Sequence, residues 1–116
     1  MITVYGIKNC DTCRKALKWL GTEGMEHKFH DFRKDGLDQS TVLGWIDEIG
    51  IDPLLNRRST TWRKLPEPDQ ASVETGNAAC LLTENPTLIK RPVFDLGAKC
   101  LVGFNADVQE ALKAAG

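Results

Sequence analysis

The sequence of 116 residues predicts one α/β domain, in which a β-α-β unit and a later β-β-α unit flank a helical insertion. Three observations carry this. Two β-rich stretches near the N-terminus bracket an amphipathic helical pattern. The middle of the chain keeps a helical period. Near residue 92 the period returns to two, and one more helical pattern closes the chain.

Each element has a local cause. Ile2-Thr3-Val4-Tyr5 alternates and is rich in β-formers until Gly6 and Asn9 break it, which predicts a first strand. From Asp11 or Thr12, Ala16, Leu17, Trp19 and Leu20 form an apolar stripe beside Arg14, Lys15 and Lys18, with Gly21 and Gly24 as a stop. Residues 26–32 read as a second strand, ending at the charged turn Arg33-Lys34-Asp35-Gly36. These pieces fill the roughly 30 residues that a parallel β-α-β unit needs. Asp38 or Ser40 is placed to cap a helix with Val42, Leu43, Ile46 and Ile49 on its apolar face and Gly50 beyond its end. Short helical turns are expected at 53–56, around Trp62 and Leu65, and at 69–75, then a helix at 78–83 ended by Asn85-Pro86. The insertion therefore spans about 38–85. Residues 92–96 and 99–104 read as a hairpin turning near Gly97, and Asn105 caps a last helix at 106–114 with Val108 and Leu112 inward.

Composition narrows the function. The chain is 41% hydrophobic, with 15 basic against 16 acidic side chains and a net charge of −1. A domain of this size buries roughly two-thirds of its unfolded surface, so it needs neither metal nor disulfides to fold. Balanced charge argues against direct nucleic-acid binding. No apolar stretch approaches the ~20 residues of a membrane span. Met1 to Gly6 lack a basic start and a long apolar run, so no export signal is expected and the cytoplasm is the expected compartment. In a reducing compartment four cysteines point to catalysis or metal rather than to a disulfide framework. Nothing demands more than a monomer.

The strongest motif is Cys10-Asp11-Thr12-Cys13, where the first strand hands over to the first helix. Thiol chemistry needs the thiolate, and a helix start supplies unpaired N–H groups and the positive end of the dipole. Lys8, Arg14 and Lys15 add positive charge nearby. A second sulfur one turn further along can resolve a mixed disulfide formed on the first. Cys10 at the unpaired first turn is therefore expected to be the reactive thiol, and Cys13, on the shielded side of the helix, the resolving one.

The competing reading is a metal site. Cys10, Cys13, His27 and His30 give C-x2-C-x13-H-x2-H, but the histidine gap is shorter than the usual three to five. Both histidines also fall in a strand, and the residues between the pairs form a helix with its own core stripe. No metal is expected. Cys80 and Cys100 read most simply as small core residues, and His27 and His30 as strand residues without a chemical role. Lys90-Arg91-Pro92 stays open on its own residues. Proline is tolerated at a strand entry, and a lone arginine is commonly a solvated charge.

The segments 5–16, 55–65, 89–92 and 102–105 together resemble the arsenate-reductase-like branch of the thioredoxin superfamily. The resemblance runs over nearly the whole chain, nearest to the reductase-like YffB subgroup and next to the Spx redox regulators. It implies a thioredoxin-like mixed sheet with a helical insertion between its β-α-β and β-β-α halves. It also implies that Cys10 is the nucleophile and that Pro92 is a cis-proline beside the cysteines. Arg91 would then lower the thiol pKa and bind an anion or carboxylate. A second thiol at position 13 is shared with Spx-like members and absent from many arsenate reductases. Those enzymes surround their cysteine with three arginines. Arg91 matches one, the second falls on Asn56 beside Arg57, and the third falls near Val102-Gly103, where no arginine stands.

The activity these readings imply is a thiol–disulfide oxidoreductase with glutathione as co-substrate and no bound cofactor. Arg91, with Arg57 or Arg14, would pair a glutathione carboxylate, Lys8 would add positive charge, and the chain beside Pro92 would pair the peptide backbone. Its partners would be the small thiol or a protein disulfide. The alternative is a redox-controlled binding protein of the Spx kind that contacts RNA polymerase. Arsenate reduction itself is disfavoured by the incomplete arginine set.

Overall fold

The computed structural model of the chain describes residues 2–97 and 99–115. By its contacts the chain forms two compact units, Met1–Gly36 with Arg91–Gly116, and Leu37–Lys90.

The first unit carries the sheet. Strands β1 (Ile2–Gly6), β2 (His27–Asp31), β3 (Val93–Asp95) and β4 (Cys100–Val102) lie in the order β2-β1-β3-β4. β1 pairs with β2 in parallel, Val4 opposite Phe29, because helix α1 (Asp11–Thr22) makes the crossover between them. β1 and β3 pair antiparallel, as do β3 and β4, which form the hairpin expected around Gly97. Gly97 supplies φ +87° there, and its N–H donates to Asp95 Oδ1 at 2.8 Å. This is the mixed thioredoxin-like sheet that the resemblance implies.

The core of this unit follows from alternation. Ile2, Val4 and Phe94 point to one face, where Ala16 and Leu20 of α1 meet Val108 and Leu112 of α7 (Ala106–Ala115). Trp19 meets Phe104 edge-on, ring centres 5.7 Å apart. Asn105 caps α7 as expected, its Oδ1 accepting the Val108 N–H at 2.9 Å.

The second unit is built mainly of helices, α2 (Gln39–Ile49), α3 (Ile51–Leu54), α4 (Thr60–Lys64), α5 (Glu67–Ser72), α6 (Ala78–Glu84) and a 3₁₀ turn at Pro86–Leu88, with an antiparallel bridge between Leu55 and Ile89. Asp38 is the N-cap residue of α2 but makes no side-chain capping bond. The apolar face of α2 differs from the expected one. Val42 and Trp45 are buried, whereas Leu43 is 50% exposed. The i, i+3 spacing carries the buried stripe from Val42 to Trp45, and Leu43 is turned about 100° away from it. Ser59 caps α4, accepting the Trp62 N–H at 3.1 Å. Among the described residues no helix is long and apolar enough to cross a membrane.

Candidate active site

The loop between β1 and α1 places the two sulfurs differently, although three residues separate them. Cys10 is the N-cap residue of α1, with extended backbone at φ −96° and ψ 121°. Its N–H closes a turn on Ile7 O at 3.1 Å, and its carbonyl accepts the Arg14 N–H at 3.0 Å as the first helical bond. Cys10 is half-buried, and its sulfur makes no capping bond of ordinary geometry. Cys13 is the first residue of the stripe that α1 turns to the sheet, Cys13-Ala16-Leu20, and is only 1% exposed. Gly6 makes room for it. A Cβ built on Gly6 would lie 2.5 Å from Cys13 Sγ, so the strand can admit the sulfur only where no side chain stands.

The electrostatics of the pair diverge accordingly. Partial burial opposes ionisation of Cys10. The Cys13 backbone N–H and thiol, the Arg91 guanidinium and the Thr12 N–H outweigh it and hold the Cys10 pKa below the ordinary thiol value. Burial pushes the Cys13 thiol up to about 12, a backbone hydrogen bond at Ile7 opposing and the Cys10 sulfur adding to the rise. The Cys13 S–H thus serves as a donor to its neighbour, and Cys10 is the better thiolate. Both thiols are free.

The other residues singled out from sequence fall as follows. Arg91 is half-buried, and its charge acts on both sulfurs. The Arg91–Pro92 peptide is cis, as the resemblance implies, and Pro92 is fully buried. Lys8 is exposed in the loop, and its backbone N–H donates to Asp31 Oδ2 at 3.3 Å. Arg14 is exposed on α1, where Nε donates to Lys8 O at 3.3 Å and the guanidinium pairs with Asp11 at 3.6 Å. It braces the first turn of the helix. Arg57 belongs to the helical unit, where it bonds Asp52 at 3.0 Å and lies over the Trp62 ring at 5.8 Å. Its guanidinium is therefore already engaged.

Cys80 and Cys100 are half-buried rather than core residues. The Cys80 thiol faces Glu84 Oε1 at 3.6 Å. His27 and His30 are half-buried on β2 and bond the backbone carbonyls of Met25 and Gly36 at 2.9 and 2.7 Å.

Asp31 carries a role that sequence reasoning missed. It is 8% exposed at the end of β2, and its carboxylate accepts the N–H groups of Arg33 at 2.8 Å, Lys34 at 3.2 Å and Lys8. It folds the turn after β2 and ties that turn to the loop carrying Cys10. Burial opposes its ionisation, but those three N–H groups and Arg33 hold its carboxyl below the usual range. An acid opening a Asp-Phe-Arg-Lys-Asp-Gly turn is a signal for the local part of this role alone.

A family model for the ArsC family matches residues 5–112. The chain belongs to the ArsC family. It is 52% identical over 111 residues to an uncharacterized protein of Haemophilus influenzae, covering 96% of this chain and 97% of that one. A solved structure of a protein named YFFB matches with a TM-score of 0.89 at 40% identity, covering 96% and 97% of the two chains. The global transcriptional regulator Spx of Listeria monocytogenes is 30% identical over 109 residues, covering 92% of this chain and 82% of that protein. At the coarse level this ArsC-family chain has a thiol-oxidoreductase-like fold.

Proposed function

We propose that this ArsC-family chain is a glutathione-dependent thiol–disulfide oxidoreductase with Cys10 as nucleophile and Cys13 as resolving thiol. The observation that carries this reading is the asymmetry of the pair: a half-exposed Cys10 of lowered pKa at a helix start, against a buried Cys13 pushed up to about 12. The Cys10 thiolate attacks one sulfur of a disulfide. That S–S bond breaks, a mixed disulfide forms, and the departing thiolate takes a proton from solvent. Cys13 then loses its proton, attacks Cys10 Sγ and releases the second thiol. The substrate disulfide has gained two electrons, and Cys10–Cys13 is oxidised. Two glutathione molecules return it to the dithiol and leave as glutathione disulfide.

Arg91 suits a glutathione carboxylate; the Pro92 carbonyl accepts the Gly103 N–H at 2.8 Å, so pairing of the glutathione peptide backbone falls to the chain beside Pro92. Arsenate suits the site less. Arg91 is the guanidinium that acts on the sulfurs, Asn56 stands where a second would be expected, and Val102-Gly103 hold none. Mass spectrometry after exposure to glutathione disulfide tests the reading. A glutathione adduct on Cys10 or a Cys10–Cys13 disulfide is expected, and finding neither rejects it.

The second reading, a redox-controlled partner of RNA polymerase, rests on the 30% identity to Spx. The Haemophilus influenzae and YFFB proteins match this chain more closely and nearly end to end, but their names carry no activity, so the enzyme is ranked first on the asymmetry of Cys10 and Cys13. Stable capture of polymerase in one redox state, without thiol turnover, would reverse that ranking.

A further inference from the structure

Within the sheet unit, the start of α1, the loop after β1 and the turn after β2 enclose a cavity of about 490 Å³. Ile7, Leu17, Phe29 and Cys13 give it apolar walls. Its other walls are charged: Lys8, Arg14 and Lys34 against Asp31 and Asp35. Both acids also accept backbone N–H groups. Asp31 accepts the N–H groups of Lys8, Arg33 and Lys34, and Asp35 Oδ2 accepts the Asp31 N–H at 3.0 Å. Arg14 is paired with Asp11. Among the described residues, no ion pair engages the Lys8 or Lys34 ammonium group. With three cations against two carboxylates, the lining carries a net positive charge above an apolar interior.

The volume lies in the range of small-molecule sites, which combine apolar walls with a few placed polar groups. We propose that this cavity binds an organic anion with an apolar aryl or alkyl body, the body against Leu17, Phe29 and Cys13 and the anionic head at Lys8 and Lys34. Glutathione, a polar tripeptide, lacks such a body, so this is a separate ligand class. A cationic ligand would meet three cations in the lining, against two carboxylates that already accept backbone N–H groups. An occupant would cover Cys13 and hold back the resolving step. That consequence rests on the oxidoreductase reading, whereas the binding does not.

The test is a two-dimensional amide NMR titration of the reduced full chain with anilinonaphthalene sulfonate, an aromatic body carrying one anionic group. Saturable shifts clustered at Ile7, Cys13, Leu17, Phe29 and Lys34 are expected. Lys34→Glu should weaken the affinity by roughly tenfold, since it replaces an attraction with a repulsion. Leu17→Trp should fill the cavity and do at least as much. Because Leu17 also packs against the core, Lys34→Glu is the variant that keeps the fold. Shifts absent, scattered, or confined to residues 57–74 would overturn the proposal, as would an affinity unchanged in Lys34→Glu. A missing glutathione adduct leaves this result untouched, so the two readings fail separately.

Discussion

Two half-buried thiols, in the first turns of α1 and α6, are given opposite tendencies by their neighbours. Cys10 and Cys80 are both half-buried and free. Cys10 faces the first N–H groups of a twelve-residue helix and the Arg91 guanidinium, and partial burial does not prevent its pKa from falling. Cys80 is the third residue of the seven-residue α6, whose first helical bond runs from the Leu81 N–H to Asn77 O, and no backbone N–H acts on its sulfur. There Glu84, one turn further on, pushes its pKa up, burial and the hydrogen bond to the same carboxylate adding to it. Exposure alone would rank these thiols together. Both stand at the start of a helix, so what separates them is the sign of the nearest charge and the backbone N–H groups that reach the Cys10 sulfur alone of the two.

The widest separation is expected from alkylation followed against pH. Because the Cys10 pKa is lowered, its thiolate fraction at neutral pH exceeds that of an ordinary thiol. Its labelling rate should rise with pH and level off earlier than that of a free cysteine. The larger thiolate fraction outweighs the modest loss of intrinsic nucleophilicity. Cys10→Ser should abolish fast labelling at neutral pH. Cys13→Ser should preserve it and leave the mixed disulfide with glutathione unresolved. In Cys10→Ser the charge that helps raise Cys13 is gone, but burial, its largest cause, remains, so Cys13 should still titrate above an ordinary thiol. Fast labelling in Cys10→Ser that is lost in Cys13→Ser would exchange the two roles. Cys80 should stay slow in every variant.

How much of this was legible in the sequence depends on how local each cause is. The position of Cys10 at a helix start follows from a strand pattern ending at Gly6 and a helical stripe beginning near Asp11. The burial of Cys13 follows from its i, i+3, i+7 spacing to Ala16 and Leu20. The seat that Gly6 provides was not legible, because a glycine at the end of a strand reads as a break until the sulfur opposite it is known. Asp31 was half legible. Its turn bonds are local, but its bond to Lys8 joins residues 23 apart and exists only once β1 and β2 are paired. The cis peptide at Pro92 came from family resemblance, since Lys90-Arg91-Pro92 alone left strand entry and active-site contact undivided. Leu43 and Trp45 exchanged places because both lie near an apolar face, and a difference of two residues on a helix decides which faces inward.

A smaller effect is expected from removing the cation that helps define the comparison. Arg91→Met keeps a long unbranched side chain and discards the charge. The Cys10 pKa should rise, and neutral-pH labelling should slow by about three- to tenfold, within the range of one pKa unit. The loss is partial because the Cys13 N–H, the Cys13 thiol and the Thr12 N–H still favour the thiolate. Labelling unchanged in Arg91→Met would assign the whole depression to the N–H groups of the helix start and the Cys13 thiol.

The smallest effect should come from the other side of the comparison, at Cys80. Glu84→Gln removes the first cause of its raised pKa and exchanges an anionic acceptor for a neutral one. The Cys80 pKa should fall toward the ordinary thiol value, and its labelling at pH above neutral should quicken by roughly twofold to threefold. No larger gain is expected, because neither a cation nor a backbone N–H acts on the Cys80 sulfur in place of the carboxylate. Measured in a Cys10→Ser, Cys13→Ser background with the labelled peptides separated by mass, this change isolates the charge from the position. A Cys80 that became as fast as Cys10 on losing Glu84 would mean that the N–H groups and the guanidinium at Cys10 contribute little, and that freedom from a facing acid is what makes a thiol here reactive.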